Sequence, residues 1–202
     1  FAVGLDAGTG RTIWEHANPS PLTQQMQYYG PGPHSTPLIV GHRLFTAGAN
    51  ADLICFEKET GAVLWRHDLL EERGLNIPSY GYASSGLAYG EWVIFPVLGD
   101  DKTPRAWLTA FAQSDGREIW NAELPRSYSE QSEFSSPILI RFADEDQIVF
   151  LTNEEIVGLD PREGAVLWRH PHPNRQGVNI MTPVWDGRER LFCAGAYDSG
   201  AR

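Results

Sequence analysis

Several things are scarce in this 202-residue chain, and each scarcity removes a class of protein. It has only two cysteines, Cys55 and Cys193. They fall in separate apolar stretches and are read as two buried free thiols, so the chain is not a disulfide scaffold. Neither an adjacent Cys-Cys pair nor a Cys-x-x-Cys-His haem attachment occurs. No apolar run approaches the eighteen or so residues of a membrane helix, which excludes a helical membrane span in this segment. The basic side chains are few, 16 Lys and Arg against 26 Asp and Glu, and never clustered beyond a pair. A formal net charge of −10 without a basic patch argues against nucleic acid or an anionic membrane surface as partner. Helical periodicity is missing too: no stretch keeps an i, i+3, i+4, i+7 apolar pattern, and 20 Gly with 14 Pro punctuate the chain. What remains is a soluble chain, 42% apolar, built of short strands and turns.

What is present is a repeat. Four of the seven tryptophans follow a glycine by four positions: Gly10/Trp14, Gly61/Trp65, Gly116/Trp120 and Gly164/Trp168. Their flanks agree as well, in Gly4-Leu-Asp-Ala-Gly-Thr-Gly10, Cys55-Phe-Glu-Lys-Glu-Thr-Gly61, Ala110-Phe-Ala-Gln-Ser-Asp-Gly116 and Gly158-Leu-Asp-Pro-Arg-Glu-Gly164. A period of roughly fifty residues marks one supersecondary unit per copy. Each unit reads as strand, tight turn, strand, with the glycine at a hairpin position that needs φ > 0. The Trp ring stands at one fixed point on the return strand. Ten positions before it the residue is small (Gly4, Cys55, Ala110, Gly158), as if each ring packs where the backbone must come close.

A second phase lies upstream. Thr36-Pro37, Ser85-Gly86, Ser136-Pro137 and Thr182-Pro183 each open an apolar stretch, followed by a turn and a second stretch such as Arg43-Leu-Phe-Thr-Ala-Gly48 or Arg190-Leu-Phe-Cys-Ala-Gly195. Four short strands per unit with an interlocking Trp describe a β-propeller blade, so the fold class expected is all-β. The boundaries read as a half blade at 1–17, blades at about 36–70, 85–124 and 136–171, and a half blade at 182–202.

These blocks resemble the tryptophan-docking repeat of the quinoprotein, or PQQ-like, β-propellers, whose pattern is Ala-x-Asp-x-x-Thr-Gly-x-x-x-Trp. Gly and Trp match in all four copies. The Asp position holds Asp6 and Asp160 but Glu57 and Ala112, the Thr position Thr9 and Thr60 but Asp115 and Glu163, and the first position is Ala only at Ala110. That family includes PQQ-dependent alcohol dehydrogenases and non-enzymatic BamB-type outer-membrane assembly proteins, and the motif is structural in both. The resemblance implies an eight-bladed ring needing roughly twice this chain. With no initiator Met, no signal peptide and half blades at both ends, the chain reads as part of a longer protein, and two copies closing one ring is the alternative. It also implies the periplasm or cell envelope.

In a four-stranded blade the connections from the last strand to the next blade's first strand share one face, and loops on a rigid scaffold are where such folds place recognition. Here Tyr28, Tyr29, Tyr80 and Tyr82 are expected on its rim, and His34, Ser35, Ser84, Ser135, Asn179 and Met181 toward the axial funnel. The competing reading is that Ser and Thr before an inner strand simply hydrogen-bond the turn. No catalytic residue is expected. Gly81-Tyr-Ala-Ser-Ser-Gly86 has the wrong spacing for a nucleophile elbow. His170-Pro-His172 lacks a third ligand, and His16, His67 and His170 each follow a repeat Trp by two positions, which makes them a blade feature and no metal cluster. Asp100-Asp101 and Asp144-Glu-Asp146 read as solvated turns, neither with EF-hand spacing.

The expected function is a non-catalytic cell-envelope binding or scaffold module with no cofactor, meeting a protein or small molecule on the connection face. The alternatives are part of a PQQ-dependent alcohol dehydrogenase, with PQQ and Ca²⁺, or a carbohydrate- or peptide-binding propeller. A PQQ dehydrogenase of this family typically shows the adjacent Cys-Cys pair, a catalytic Asp and Glu/Asn calcium ligands.

Overall fold

A computed structural model describes residues 1–30, 32–98, 105–125, 134–173, 178–195 and 200–201. Asp100-Asp101, most of the connection from Ser127 and residues 174–177 lie outside the described residues.

Short β-strands make up nearly all of the regular structure. A two-stranded sheet of β1 (Ala2–Leu5) and β2 (Thr12–His16) comes first. A short helix, α1 (Gln24–Tyr29), leads into β3 (Leu38–Val40), β4 (Arg43–Ala47), β5 (Asp52–Glu57) and β6 (Val63–Asp68), a four-stranded antiparallel sheet in that order. A second such sheet holds β7 (Leu87–Tyr89), β8 (Trp92–Leu98), β9 (Arg105–Ala112) and β10 (Glu118–Pro125). The third holds β11 (Ile138–Phe142), β12 (Glu145–Leu151), β13 (Glu155–Leu159) and β14 (Val166–Pro171). Two short pairs follow, β15 (Val184–Trp185) with β16 (Leu191–Phe192), and β17 (Ala194–Gly195) with β18 (Gly200–Ala201). Four-stranded meanders stacked face to face are the blades of a β-propeller.

The core lies between blades. One cluster joins Phe45 and Trp65 of the first four-stranded sheet to Val93, Phe95 and Phe111 of the second. Another joins Ile94, Leu108 and Trp120 to Ile148, Phe150 and Val157 of the third. Inner strands are therefore covered on both faces. That is why Asp52–Phe56 and Ala106–Ala112 are buried at every residue, and why the sequence shows apolar runs there where a half-buried strand would alternate.

The repeat glycine and tryptophan hold this stack together. Each Trp pairs across its own hairpin with the small residue, as Gly4↔Trp14, Cys55↔Trp65, Ala110↔Trp120 and Gly158↔Trp168. The ring then reaches the next sheet. Trp14 Nε1 donates to the Lys58 carbonyl at 2.9 Å, Trp65 to Gln113 at 3.0 Å and Trp120 to Pro161 at 3.1 Å. Those carbonyls belong to the outer turns of the following blade, and so do Gly61, Gly116 and Gly164. These glycines have φ of 71°, 75° and 71°, the left-handed region that suits their hairpins. They also have no room for a side chain. A Cβ would stand 2.4 Å from Trp14 at Gly61, 2.8 Å from Trp65 at Gly116 and 2.5 Å from Trp120 at Gly164.

Side chains lock the turns themselves. Asp6 accepts from the Thr9 hydroxyl at 2.6 Å and its N–H at 2.8 Å, and Glu57 accepts twice from Thr60 at 2.7 Å. The threonine hydroxyl, first among the causes, holds both carboxyls below their ordinary range. Where the acid is Ala112, the turn keeps its backbone bonds, Gly116 N–H to the Ala112 carbonyl and Ala112 N–H to the Arg117 carbonyl, with an Arg117 N–H bond to Asp115.

Helix α1 is too short, at one and a half turns, to leave a periodic signature in the sequence. Thr23 caps it, accepting from Met26 N–H at 3.1 Å, and the Thr23 hydroxyl donates to the Ser79 carbonyl. The final segment also differs from a plain pair of inner strands. Where β4 runs unbroken through Arg43-Leu-Phe-Thr-Ala, the matching residues 190–194 break at Cys193 into β16 and β17. β4 is held straight by pairing with β5, and β16 has no such neighbour among the described residues.

Replacing Trp120 with Ala removes a ring that is 8% exposed together with its bond to Pro161. We expect a loss of about 3–5 kcal/mol in urea denaturation, the usual range for deleting a buried aromatic. A loss below about 1 kcal/mol would mean the ring is not what joins the blades.

Candidate functional site

The connections between blades bring aromatic side chains together on one face. α1 carries Tyr28 and Tyr29, 82% and 67% exposed, next to Met26, which is 2% exposed. Met26 packs on Gly81, where a Cβ would stand 3.2 Å from its sulfur and 2.9 Å from the Ala49 carbonyl, at φ 78°. Tyr82 N–H donates to that same carbonyl at 2.7 Å. The helix is thus pinned over the following connection, which carries Tyr80. Tyr28 meets Tyr29 edge-on at 4.8 Å between ring centroids, Tyr29 meets Tyr80 at 5.6 Å, and Tyr80 meets Phe134 of the next connection at 6.4 Å. Four rings in contact span three successive connections. Phe134 is the member that the repeat pattern does not single out, because it stands in a serine-rich stretch between blades.

Tyr82 is not on this rim. It is 2% exposed, lies in the cluster between the first two four-stranded sheets, and donates to the Pro96 carbonyl at 2.9 Å. Its sequence, Tyr80-Gly-Tyr82, turns at the positive-φ glycine, so the two rings part to opposite sides. Burial pushes the Tyr82 phenol well above its ordinary range.

The small polar residues mostly tie one connection to another. Ser35 donates to the Ala47 carbonyl at 2.5 Å and Ser135 to the Met181 carbonyl at 3.0 Å. Asn179, fully buried, donates to the Thr152 carbonyl at 2.6 Å, and its own carbonyl accepts from Phe134 N–H at 2.9 Å. A relay runs along the opening residues of the blades: Thr36 N–H donates to Ser85 Oγ and Ser85 N–H to Ser136 Oγ, each at 2.8 Å. These bonds are the turn-stabilising role that competes with ligand binding for serines in this position. Ser84 is fully buried, and its hydroxyl has no hydrogen-bond partner among the described residues. His34 is exposed and Met181 half-buried.

One polar centre is not marked in the sequence by any motif. Asp52, 1% exposed, accepts from Asn50 Nδ2 at 2.6 Å and from Asn18 Nδ2 and Arg66 Nη2 at 2.9 Å each. Its donors lie up to 34 residues away, so only the fold assembles them. Both Asp52 carboxylate oxygens are engaged, and the cluster reads as a staple between blades.

Among the described residues, no three of His, Cys, Asp or Glu converge where a metal ion could be held, and no helix is long and apolar enough to cross a membrane. His67 sits between Glu72, 2.9 Å from Nδ1, and the Gly116 carbonyl, 2.7 Å from Nε2, as part of a blade junction. Cys55 and Cys193 are free and buried in different clusters. Burial pushes both thiols up to about 11.

The chain matches the family model described as outer membrane protein assembly factor BamB over residues 2–201. Among solved structures it is similar to the quinohemoprotein alcohol dehydrogenase of Comamonas testosteroni, with a TM-score of 0.67 at 14% identity, covering 94% of this chain and 36% of that one. It is also similar to BamB from Moraxella catarrhalis, with a TM-score of 0.53 at 16% identity, covering 98% of this chain and 64% of that one. The computationally designed Ika4 protein gives a TM-score of 0.53 at 13% identity, over 84% of this chain and 88% of that one. At such identities the likeness is one of fold. The chain spans about a third of the dehydrogenase and less than two thirds of BamB. No curated protein sequence matches it.

Two measurements check the burial assignments. A thiol is uncharged when protonated, so a folded value raised to about 11 from 9.0 gives stability that is complete below pH 9 and lost as pH rises toward 11. Removing both thiols with Cys55→Ala and Cys193→Ala should flatten that decline, measured against the parent chain in denaturant. Tyr82→Phe should cost about 1–3 kcal/mol at neutral pH by stranding the buried Pro96 carbonyl, and an effect near zero would put the hydroxyl in water.

Proposed function

We propose that this chain, which belongs to the family of the outer membrane protein assembly factor BamB, is a non-catalytic cell-envelope module that binds a protein partner on the face carrying its inter-blade connections. One observation carries the reading: the Tyr28–Tyr29–Tyr80–Phe134 run, its first two rings exposed and its last two half-buried, held in place by α1 and by bonds between successive connections. Aromatic rings supply large, stiff contact area at small entropic cost and recur as anchors in protein interfaces. Sugar rings and extended peptides are recognised by the same kind of surface, so a carbohydrate- or peptide-binding propeller is a further alternative. The envelope location rests on the family.

A quinoprotein oxidoreductase is the second reading, favoured by the higher TM-score of the dehydrogenase. The residues described do not fit that group. A calcium-bound quinone needs several converging oxygen donors, and the described carboxylates are scattered or already paired. The two cysteines cannot form the adjacent pair typical of such enzymes.

A photoreactive residue replacing Tyr28 in native envelopes, with Asp144 on the opposite turns as control, tests the first reading. Tyr28 should give a discrete protein adduct and Asp144 none. Tyr29→Ala with Tyr80→Ala should weaken capture by at least about tenfold, as for loss of interface anchors. Equal capture from both positions would refute the face assignment. Quinone absorbance and dye-linked alcohol oxidation after adding PQQ and Ca²⁺ would replace this reading with the second.

A further inference from the structure

Charged residues make up 21% of this chain, but they are not spread evenly. Residues 18–42 contain no Asp, Glu, Lys or Arg, and neither do residues 74–90. The first stretch includes α1 with Tyr28 and Tyr29, and the second carries Tyr80. Beside the rings on α1 stand neutral amides instead, Gln24 and Gln27, both exposed. A charged segment docking here would give up its hydration and find no counter-charge in either stretch. The surface therefore selects an uncharged partner.

The rings form a row, not a patch. Tyr28 touches Tyr29, Tyr29 touches Tyr80, and Tyr80 touches Phe134, so the row follows the order of the blades. Such a row suits an elongated segment, which leaves three modes of recognition. Strand addition needs an unpaired sheet edge along the row. Gln24–Tyr29 is helix and residues 74–86 hold no strand, so no backbone ladder is on offer there. An amphipathic helix needs a broad apolar groove for anchors at i, i+3, i+4 and i+7, and a single file of rings does not supply one. A polyproline II segment meets neither obstacle. It has no internal hydrogen bonds, so its carbonyls are free to accept from tyrosine hydroxyls and glutamine amides. Its flat proline rings dock on aromatic side chains. One turn of it rises about 9 Å, which carries the segment past about two rings of this spacing.

The row is also in place before anything binds. Met26, 2% exposed, packs on Gly81, and the Thr23 hydroxyl that caps α1 donates to the Ser79 carbonyl beside Tyr80. Stiff rings meeting a stiff helix lose little conformational freedom on either side.

We propose that the protein partner meets this face with an uncharged, proline-rich segment in the polyproline II conformation, an inference that rests on the connection face being the binding one. Its prolines lie along Tyr28, Tyr29, Tyr80 and Phe134, and its carbonyls accept from the neutral donors beside them. Affinity comes from ring contact and not from charge, so it is insensitive to salt.

Fluorescence anisotropy with a capped, uncharged peptide carrying proline at two of every three positions tests this on the 202-residue chain. The peptide should bind at least about tenfold more tightly than the same peptide with alanine in place of proline. Raising NaCl from about 50 to about 500 mM should change its affinity by less than about twofold. Tyr29→Ala, at a ring 67% exposed, should weaken it by at least about tenfold while circular dichroism stays that of the parent. In native envelopes the peptide should also suppress the protein adduct formed by an aromatic photoreactive residue at position 28. An undiminished adduct would keep the face as the binding one and overturn the proline-rich segment, whereas no adduct at all would remove both. Equal binding of the two peptides, or a strong salt dependence, would overturn it as well. So would Tyr29-dependent binding of cellohexaose in place of the peptide, which would make the row a site for a neutral glycan.

Discussion

Everything in this fold depends on a tryptophan from one blade finding a glycine in the next. The ring is clasped between the small residue across its own hairpin and the outer turn of its neighbour. Its N–H satisfies a carbonyl there that would otherwise be buried unpaired. Three requirements meet at the glycine: a left-handed backbone, a closed hairpin and an empty space the thickness of an indole. Any side chain fails the last, even one that tolerates the first. This is why Gly and Trp survive in all four copies while the Asp and Thr of the same turn do not. A turn that has lost its acid, as at Ala112, keeps its backbone bond; a seat that has lost its glycine cannot hold the ring.

With the outer rim fixed, the inner rim needs only light ties. The Thr36 and Ser85 N–H groups donate to the Ser85 and Ser136 hydroxyls and so link the starts of successive blades, and Asn179 links the last connection to Thr152. Each tie is worth about 1 kcal/mol, small beside a buried indole. Such ties set where the connections emerge, and so where Tyr29 meets Tyr80. The aromatic run is a product of the stacking and needs no motif of its own.

That division explains what could be read from the residues alone. The architecture was legible because Gly and Trp recur at fixed spacing, and a repeated steric demand leaves a repeated letter. The connections repeat in place but not in sequence, so which of their side chains face solvent followed only from the turn between them. Tyr80 and Tyr82 look alike in the chain and are separated by Gly81, which sends one outward and the other into the core. Phe134 carried no signal, since its partner Tyr80 is set by the offset between two blades. Asp52 stood in an apolar stretch, and the three donors that explain its burial come from separate places in the chain, Asn18, Asn50 and Arg66 on β6.

Stacked units of this kind contact only their neighbours, so stability grows by one interface per blade and the ends carry the deficit. In this chain the deficit is specific. It consists of a glycine without a ring and a ring without a glycine. A non-specific apolar edge would invite any strand. Here the seat at Gly10, with nothing within 4 Å of a Cβ position, restricts what fits. The interlock that holds the blades in line therefore also selects what may be added at either end. A blade that packs at Gly10 must bring an indole, and one that packs at Trp168 must bring a turn glycine.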